Sequence, residues 1–91
     1  MVAKHCRITG RVQGVGYRQA MQYMAENLGL TGWVRNRHDG SVEALVCGSE
    51  KAVTEILAWA KQGPRFSQVT ELVVSEAECP KVSEFAILPT E

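Results

Sequence analysis

Between residues 4 and 28 the spacing of apolar side chains changes from every second residue to every third or fourth, across a junction holding two glycines. Lys4 to Val12 alternate: Cys6, Ile8, Gly10 and Val12 share one face, and His5, Arg7, Thr9 and Arg11 share the other. That period of two belongs to a strand with one solvated face. Residues 18–28 carry Ala20, Met21, Met24, Ala25 and Leu28 at helical spacing, with Gly29 as a natural stop. A strand joined to a helix by so short a loop must pack both elements into adjoining layers of one core.

The pattern continues in the same alphabet. Thr31 to Arg37 read as a second strand, and His38-Asp39-Gly40-Ser41 contains the Asp-Gly pair of a hairpin turn. Val42 to Cys47 read as the third strand, with Val42, Ala44 and Val46 on one face. Ser49 is placed to cap a second helix, with Glu50 in its first turn. Ala52, Val53, Ile56, Leu57 and Ala60 form its apolar stripe, and Gly63-Pro64 end it. Residues 68–76 read as a fourth strand whose imperfect alternation leaves its facing open and allows a bulge. Cys79-Pro80-Lys81 form a turn, and Glu84 to Leu88 a short last strand with Phe85 and Ile87 together. The order is β-α-β-β-α-β-β. Its first six elements match the split β-α-β arrangement, an α+β class with two helices on one face of a mostly antiparallel sheet. No repeat or linker interrupts it, so a single domain over residues 1–91 is expected.

Charge narrows the function. Ten basic and ten acidic residues cancel, which argues against broad attraction to nucleic acid or to an anionic membrane. The polar start has no signal-like apolar stretch, and no run is long enough to span a bilayer, so the cytoplasm is expected. Three widely spaced cysteines, Cys6, Cys47 and Cys79, form neither a disulfide framework nor a zinc pattern and are expected to be reduced. Cys6 and Cys47 lie on neighbouring strands, but the alternation points them to opposite faces, so no bridge between them is expected.

Several familiar chemistries are missing. There is no G-x-S-x-G elbow, no G-x-x-x-x-G-K-S/T phosphate loop, and no dinucleotide fingerprint, since Gln19 stands where the third glycine belongs. His5 and His38 stand alone and read as surface residues, and the single aspartate, Asp39, is in a turn. A cysteine followed six residues later by arginine is absent, because Val12 occupies that place after Cys6. Neither a metal site nor a covalent nucleophile is expected.

Two constellations remain. The loop Gln13-Gly14-Val15-Gly16-Tyr17-Arg18 leads into a helix start, where glycines let N–H groups converge and the helix offers free donors. Arg18 adds a planar fork suited to phosphate oxygens. The same loop also reads as a tight turn beside a solvated arginine. Asn36 ends strand two before the turn, where asparagine also serves as a simple turn cap. Topology links the two. A strand-helix-strand crossover makes strands one and two parallel, so both features emerge on one sheet edge with strand three between them. Two strand spacings put them about 10 Å apart, room for a phosphoryl group and an in-line water.

Gly10-Arg11-Val12-Gln13-Gly14-Val15-Gly16-Tyr17-Arg18 resembles the first signature of the acylphosphatase family. Gly32-Trp33-Val34-Arg35-Asn36, followed by Gly40, Val42 and Gly48, resembles the second, and Phe85-x-Ile87 is similar to the family's last strand. The likeness covers nearly the whole chain and departs at no position expected to carry function. It implies a ferredoxin-like α/β sandwich that hydrolyses acyl phosphates. It implies that Arg18 and the backbone N–H groups of Gln13, Gly14, Val15, Gly16, Tyr17 and Arg18 hold the phosphate, and that Asn36 places the attacking water. No metal, cofactor or covalent intermediate is implied. Phosphate or sulfate would occupy the same loop. A monomer is expected, because no extra apolar stripe is evident. The competing reading is a non-catalytic anion-binding regulatory module of the same fold, which would use Arg18 and the loop without needing Asn36.

Overall fold

A computed structural model describes all 91 residues, Met1–Glu91. The elements are β1 (Val2–Arg11), α1 (Tyr17–Asn27), β2 (Thr31–Asn36), β3 (Val42–Gly48), α2 (Glu50–Ala60), β4 (Gln68–Glu76) and β5 (Phe85–Ile87). Their order is the expected one; β4 has the expected bounds, and the other ends are displaced by no more than about three residues. The five strands form one sheet in the order β4-β1-β3-β2-β5. All neighbours are antiparallel except β2 and β5, which run parallel.

Register explains the core. Cys6 pairs with Ala44, which pairs with Val34 on its other side, and all three are fully buried. Ile8 and Val42 extend this apolar face, onto which α1 lays Tyr17, Met21 and Ala25 and α2 lays Ala52, Val53, Ile56 and Ala60. Burying a large aliphatic side chain stabilises by about 1.5–3 kcal/mol, so this single cluster is the main favourable term. The Ser49 side chain accepts from the Ala52 N–H at 3.1 Å and caps α2, as its position predicts. The β1–β4 register passes from Thr9 opposite Glu71 to Gly10 opposite Val69, so Thr70 is the extra residue of a bulge. That bulge is why the alternation of this strand was imperfect.

The other sheet face is polar and ionic. Glu43 sits at its centre, bonded to His5 Nε2 at 2.6 Å, Arg35 Nε at 2.9 Å and Arg37 Nη1 at 3.3 Å. Burial pushes the Glu43 carboxyl upward, but the bonds from His5 and Arg35 outweigh it and hold the group below its ordinary range. The Arg35 guanidinium also lies 4.8 Å above the Trp33 ring, which is half-buried. His5 is therefore a partnered residue rather than a solitary surface one.

The cysteines require a correction. Cys47 and Cys79 form a disulfide, with Cα atoms 5.4 Å apart, and only Cys6 is free. The segment after β4 crosses the start of β1, where the Ala77 N–H donates to the Ala3 carbonyl, and Ala3 pairs with Cys47. That crossing carries Cys79 over the end of β3. Cys6 faces the helices instead, its thiol pushed up to about 12 by burial, so a Cys6–Cys47 bridge is indeed absent. No helix is long and apolar enough to cross a membrane.

Candidate active site

The loop between β1 and α1 is pinned at both ends by core side chains. Val12 and Tyr17 are each 1% exposed, whereas Gly14 and Gly16 between them are exposed. The Tyr17 ring packs at 5.2 Å against Trp59, and its hydroxyl donates to the Ala60 carbonyl at 2.8 Å. Burial raises the Tyr17 pKa, which keeps the hydroxyl a donor. This side chain belongs to the core, so Tyr17 offers the loop only its backbone.

Gly14 and Gly16 have φ of 73° and 80°. An added Cβ would meet nothing within 4 Å at either position, so the demand for glycine comes from the backbone, not from space. A left-handed conformation costs an L residue about 1–2 kcal/mol. Gly16 is the N-cap of α1 and brings no side-chain cap, so the first-turn N–H groups are left free for an outside acceptor. The first turn also contains no acidic residue. Arg18 is half-exposed and enters none of the ion pairs of the fold. Loop, helix end and unpaired cation together favour an anion.

Asn36 closes β2. It shares its strand face with buried Val34, so the pleat turns it to the helix-covered side. Its Oδ1 is buried and receives no hydrogen bond from the protein. Its backbone carbonyl accepts the Glu91 N–H at 3.1 Å, while the His38 N–H donates to the Glu91 carbonyl at 3.2 Å. The following turn is tightly closed. The Arg37 N–H donates to the Ser41 carbonyl at 2.8 Å. Asp39 Oδ1 accepts from the Ser41 N–H at 2.9 Å and from its Oγ at 2.6 Å. Those bonds from Ser41, with an ion pair to Arg7, lower the Asp39 pKa. Asp39 thus serves the turn, as expected.

The sheet brings the two constellations together. Ile8, Val42 and Asn36 form one row across β1, β3 and β2, so the loop after β1 and the end of β2 share a sheet edge. Two strand spacings again give about 10 Å. Gln13 spans the gap: its Nε2 donates to the Arg37 carbonyl at 2.8 Å and to the Ser41 carbonyl at 2.9 Å. This side-chain tie and the Glu91 contact were not legible in the sequence, because each partner is at least 24 residues away. No cluster of three His, Cys, Asp or Glu side chains could hold a metal ion.

Known proteins resemble this chain closely. Residues 4–87 match the acylphosphatase family. An acylphosphatase of Azoarcus sp. (strain BH72) is 51% identical over 90 residues, covering 99% of this chain and 92% of the relative. One from Thiobacillus denitrificans (strain ATCC 25259 / T1) is 53% identical over 78 residues, covering 86% and 88%. The crystal structure of acylphosphatase from Bacillus subtilis superposes with a TM-score of 0.91 at 39% identity, over 97% of this chain and 99% of that one. A match over nearly the full length in sequence and fold assigns the chain to the acylphosphatase family.

Proposed function

We propose that the chain performs its family's reaction, hydrolysis of an acyl phosphate to a carboxylate and inorganic phosphate, with Arg18 and the loop amides holding the phosphate and Asn36 placing the attacking water. The observation that carries this reading is the buried, unpartnered Oδ1 of Asn36 on the sheet edge that bears the anion loop. A desolvated acceptor costs stability unless it serves an outside donor. A water that donates to Oδ1 keeps a lone pair free for phosphorus. A regulatory anion-binding module would need Arg18 and the loop, but no such acceptor.

The chemistry fits these few groups. The leaving carboxylate has a pKa of about 4, so it departs without a general acid. A loose phosphoryl-transfer transition state needs positioning and charge stabilisation above all. The Arg18 guanidinium and the N–H groups of Gln13 to Arg18 supply both. A neutral amide orients water without repelling the phosphate, as a carboxylate would. A phosphate oxygen of the substrate takes the water's proton. The bond from water oxygen to phosphorus forms as the bond from phosphorus to the acyl oxygen breaks. Inorganic phosphate or sulfate would compete for the same loop. The protein acts as a monomer in this reading, because its exposed large apolar residues are dispersed along the chain: Met1 at its start, Tyr23 on α1, Phe66 and Val82 in loops, and Val73 and Val74 on opposite faces of β4.

The test is hydrolysis of benzoyl phosphate with a chelator present. Wild type turns over without added metal, Arg18→Ala loses both binding and turnover, and Asn36→Ala loses mainly turnover. A folded wild type with no turnover would leave the regulatory module as the better reading.

A further inference from the structure

We infer that the side chain of Gln13 is a positioning residue, tying the anion loop to the turn beside Asn36 so that phosphate and attacking water keep a fixed separation. This rests on the functional reading above. The ladders cannot hold that separation. The β1–β3 pairing ends at Ile8 opposite Val42, and the β2–β3 pairing ends at Asn36 opposite the same Val42. Beyond this row the β1–α1 loop and the β2–β3 turn share no ladder bond, and His38, Asp39 and Gly40 of the turn are exposed. The loop tip at Gly14 and Gly16 is equally exposed.

Gln13 bridges this open end. Its Nε2 donates at 2.8 Å to the carbonyl of Arg37 and at 2.9 Å to that of Ser41. These residues face each other across the mouth of the turn, closed by the Arg37 N–H to Ser41 carbonyl bond. Arg37 directly follows Asn36 in the chain. On its other flank Asn36 is held through its carbonyl by the Glu91 N–H, so the turn is braced from both sides. An amide nitrogen has two N–H donors, and both are used. The side chain therefore has no donor left for a phosphate, and its contribution to the reaction is geometric. A displacement of about 1 Å in a reacting group can cost on the order of a hundredfold in rate.

Gln13→Met keeps the length and removes the donors. Gln13→Asn keeps the amide on a shorter stem and guards against a Met variant that fails to fold. The readouts are kcat for benzoyl phosphate per folded molecule, the inhibition constant for inorganic phosphate, and both again in an Asn36→Ala background. A positioning role lowers kcat at least about tenfold in either variant, with phosphate inhibition changed by less than about threefold. In the Asn36→Ala background the same substitution lowers kcat by less than about threefold, since there is no placed water left to misalign. Equal losses in kcat and phosphate inhibition would make Gln13 an anion ligand and overturn the proposal. A drop in melting temperature with kcat unchanged would make it a structural residue only, and full additivity with Asn36→Ala would sever it from that residue. Wild type that binds phosphate yet shows no turnover would instead bring down the functional reading, and this proposal with it.

Discussion

Replacing Asn36 by alanine should remove activity while leaving the fold as stable as before, or more so. The Asn36 side chain makes no hydrogen bond within the protein, and its Oδ1 is buried. A desolvated acceptor without a protein donor costs up to about 1–3 kcal/mol, less whatever a bound water recovers. Alanine removes that cost and gives up only the packing of a partly exposed side chain. The unfolding free energy should therefore stay level or rise by about 1 kcal/mol, which in a chain of this size moves the melting temperature up by about 4–8 °C. The backbone contact from Glu91 and the ladder to Val42 do not depend on the side chain and should persist. Turnover should fall at least about a hundredfold, because an unplaced water loses its near-attack geometry. Urea unfolding gives the first quantity, with an unchanged slope as the sign of an intact native state. Initial rates on benzoyl phosphate give the second. A loss of more than about 1.5 kcal/mol would show that the side chain supports the fold, and would refute the argument from an unserved acceptor.

Two further outcomes follow from the rest of the structure. The Cys47–Cys79 bridge closes a loop of 32 residues, so Cys79→Ser or reduction should cost about 4 kcal/mol by the chain-entropy relation. Cys47 pairs with Thr31 at the end of β3 away from Asn36, so kcat should be unchanged below the melting point; a matching fall in kcat would contradict this separation. Acid should weaken the fold through Glu43, whose folded pKa lies below its ordinary value of 4.5. A depressed carboxylate contributes stability that is present above its unfolded pKa and is lost as pH falls through the folded one. Melting temperature should thus drop as pH is lowered from about 6 to about 3, and Glu43→Gln should flatten that slope; an equal slope in both proteins would exclude Glu43 as a source.

Much of this fold is written in local patterns. The alternation of Cys6, Ile8 and Val12, the helical spacing of Met21, Met24 and Ala25, and the Asp39-Gly40 turn each report a preference of the backbone within a few residues. Gly14 and Gly16 are legible for the same reason, since the left-handed conformation is a property of single residues. The imperfect rhythm of residues 68–76 left the facing open and allowed a bulge, and the structure places one at Thr70. Crossover topology put the Arg18 loop and Asn36 on one sheet edge, and family likeness added the roles expected of them. Tertiary structure alone decided the rest. Cys79 meets Cys47 only because the chain after β4 crosses β1. Tyr17 turns from the loop into the core because Trp59 and Ala60 stand behind it. Gln13 reaches Arg37 and Ser41, and Glu43 gathers His5, Arg35 and Arg37, only once β3 has brought β1 and β2 to its two sides. Backbone preference acts over a few residues and can be read from their order. A contact between residues far apart in the chain exists only after the entropy of closing the intervening loop has been overcome by the burial of the common core, and no local pattern records which partners that closure will deliver.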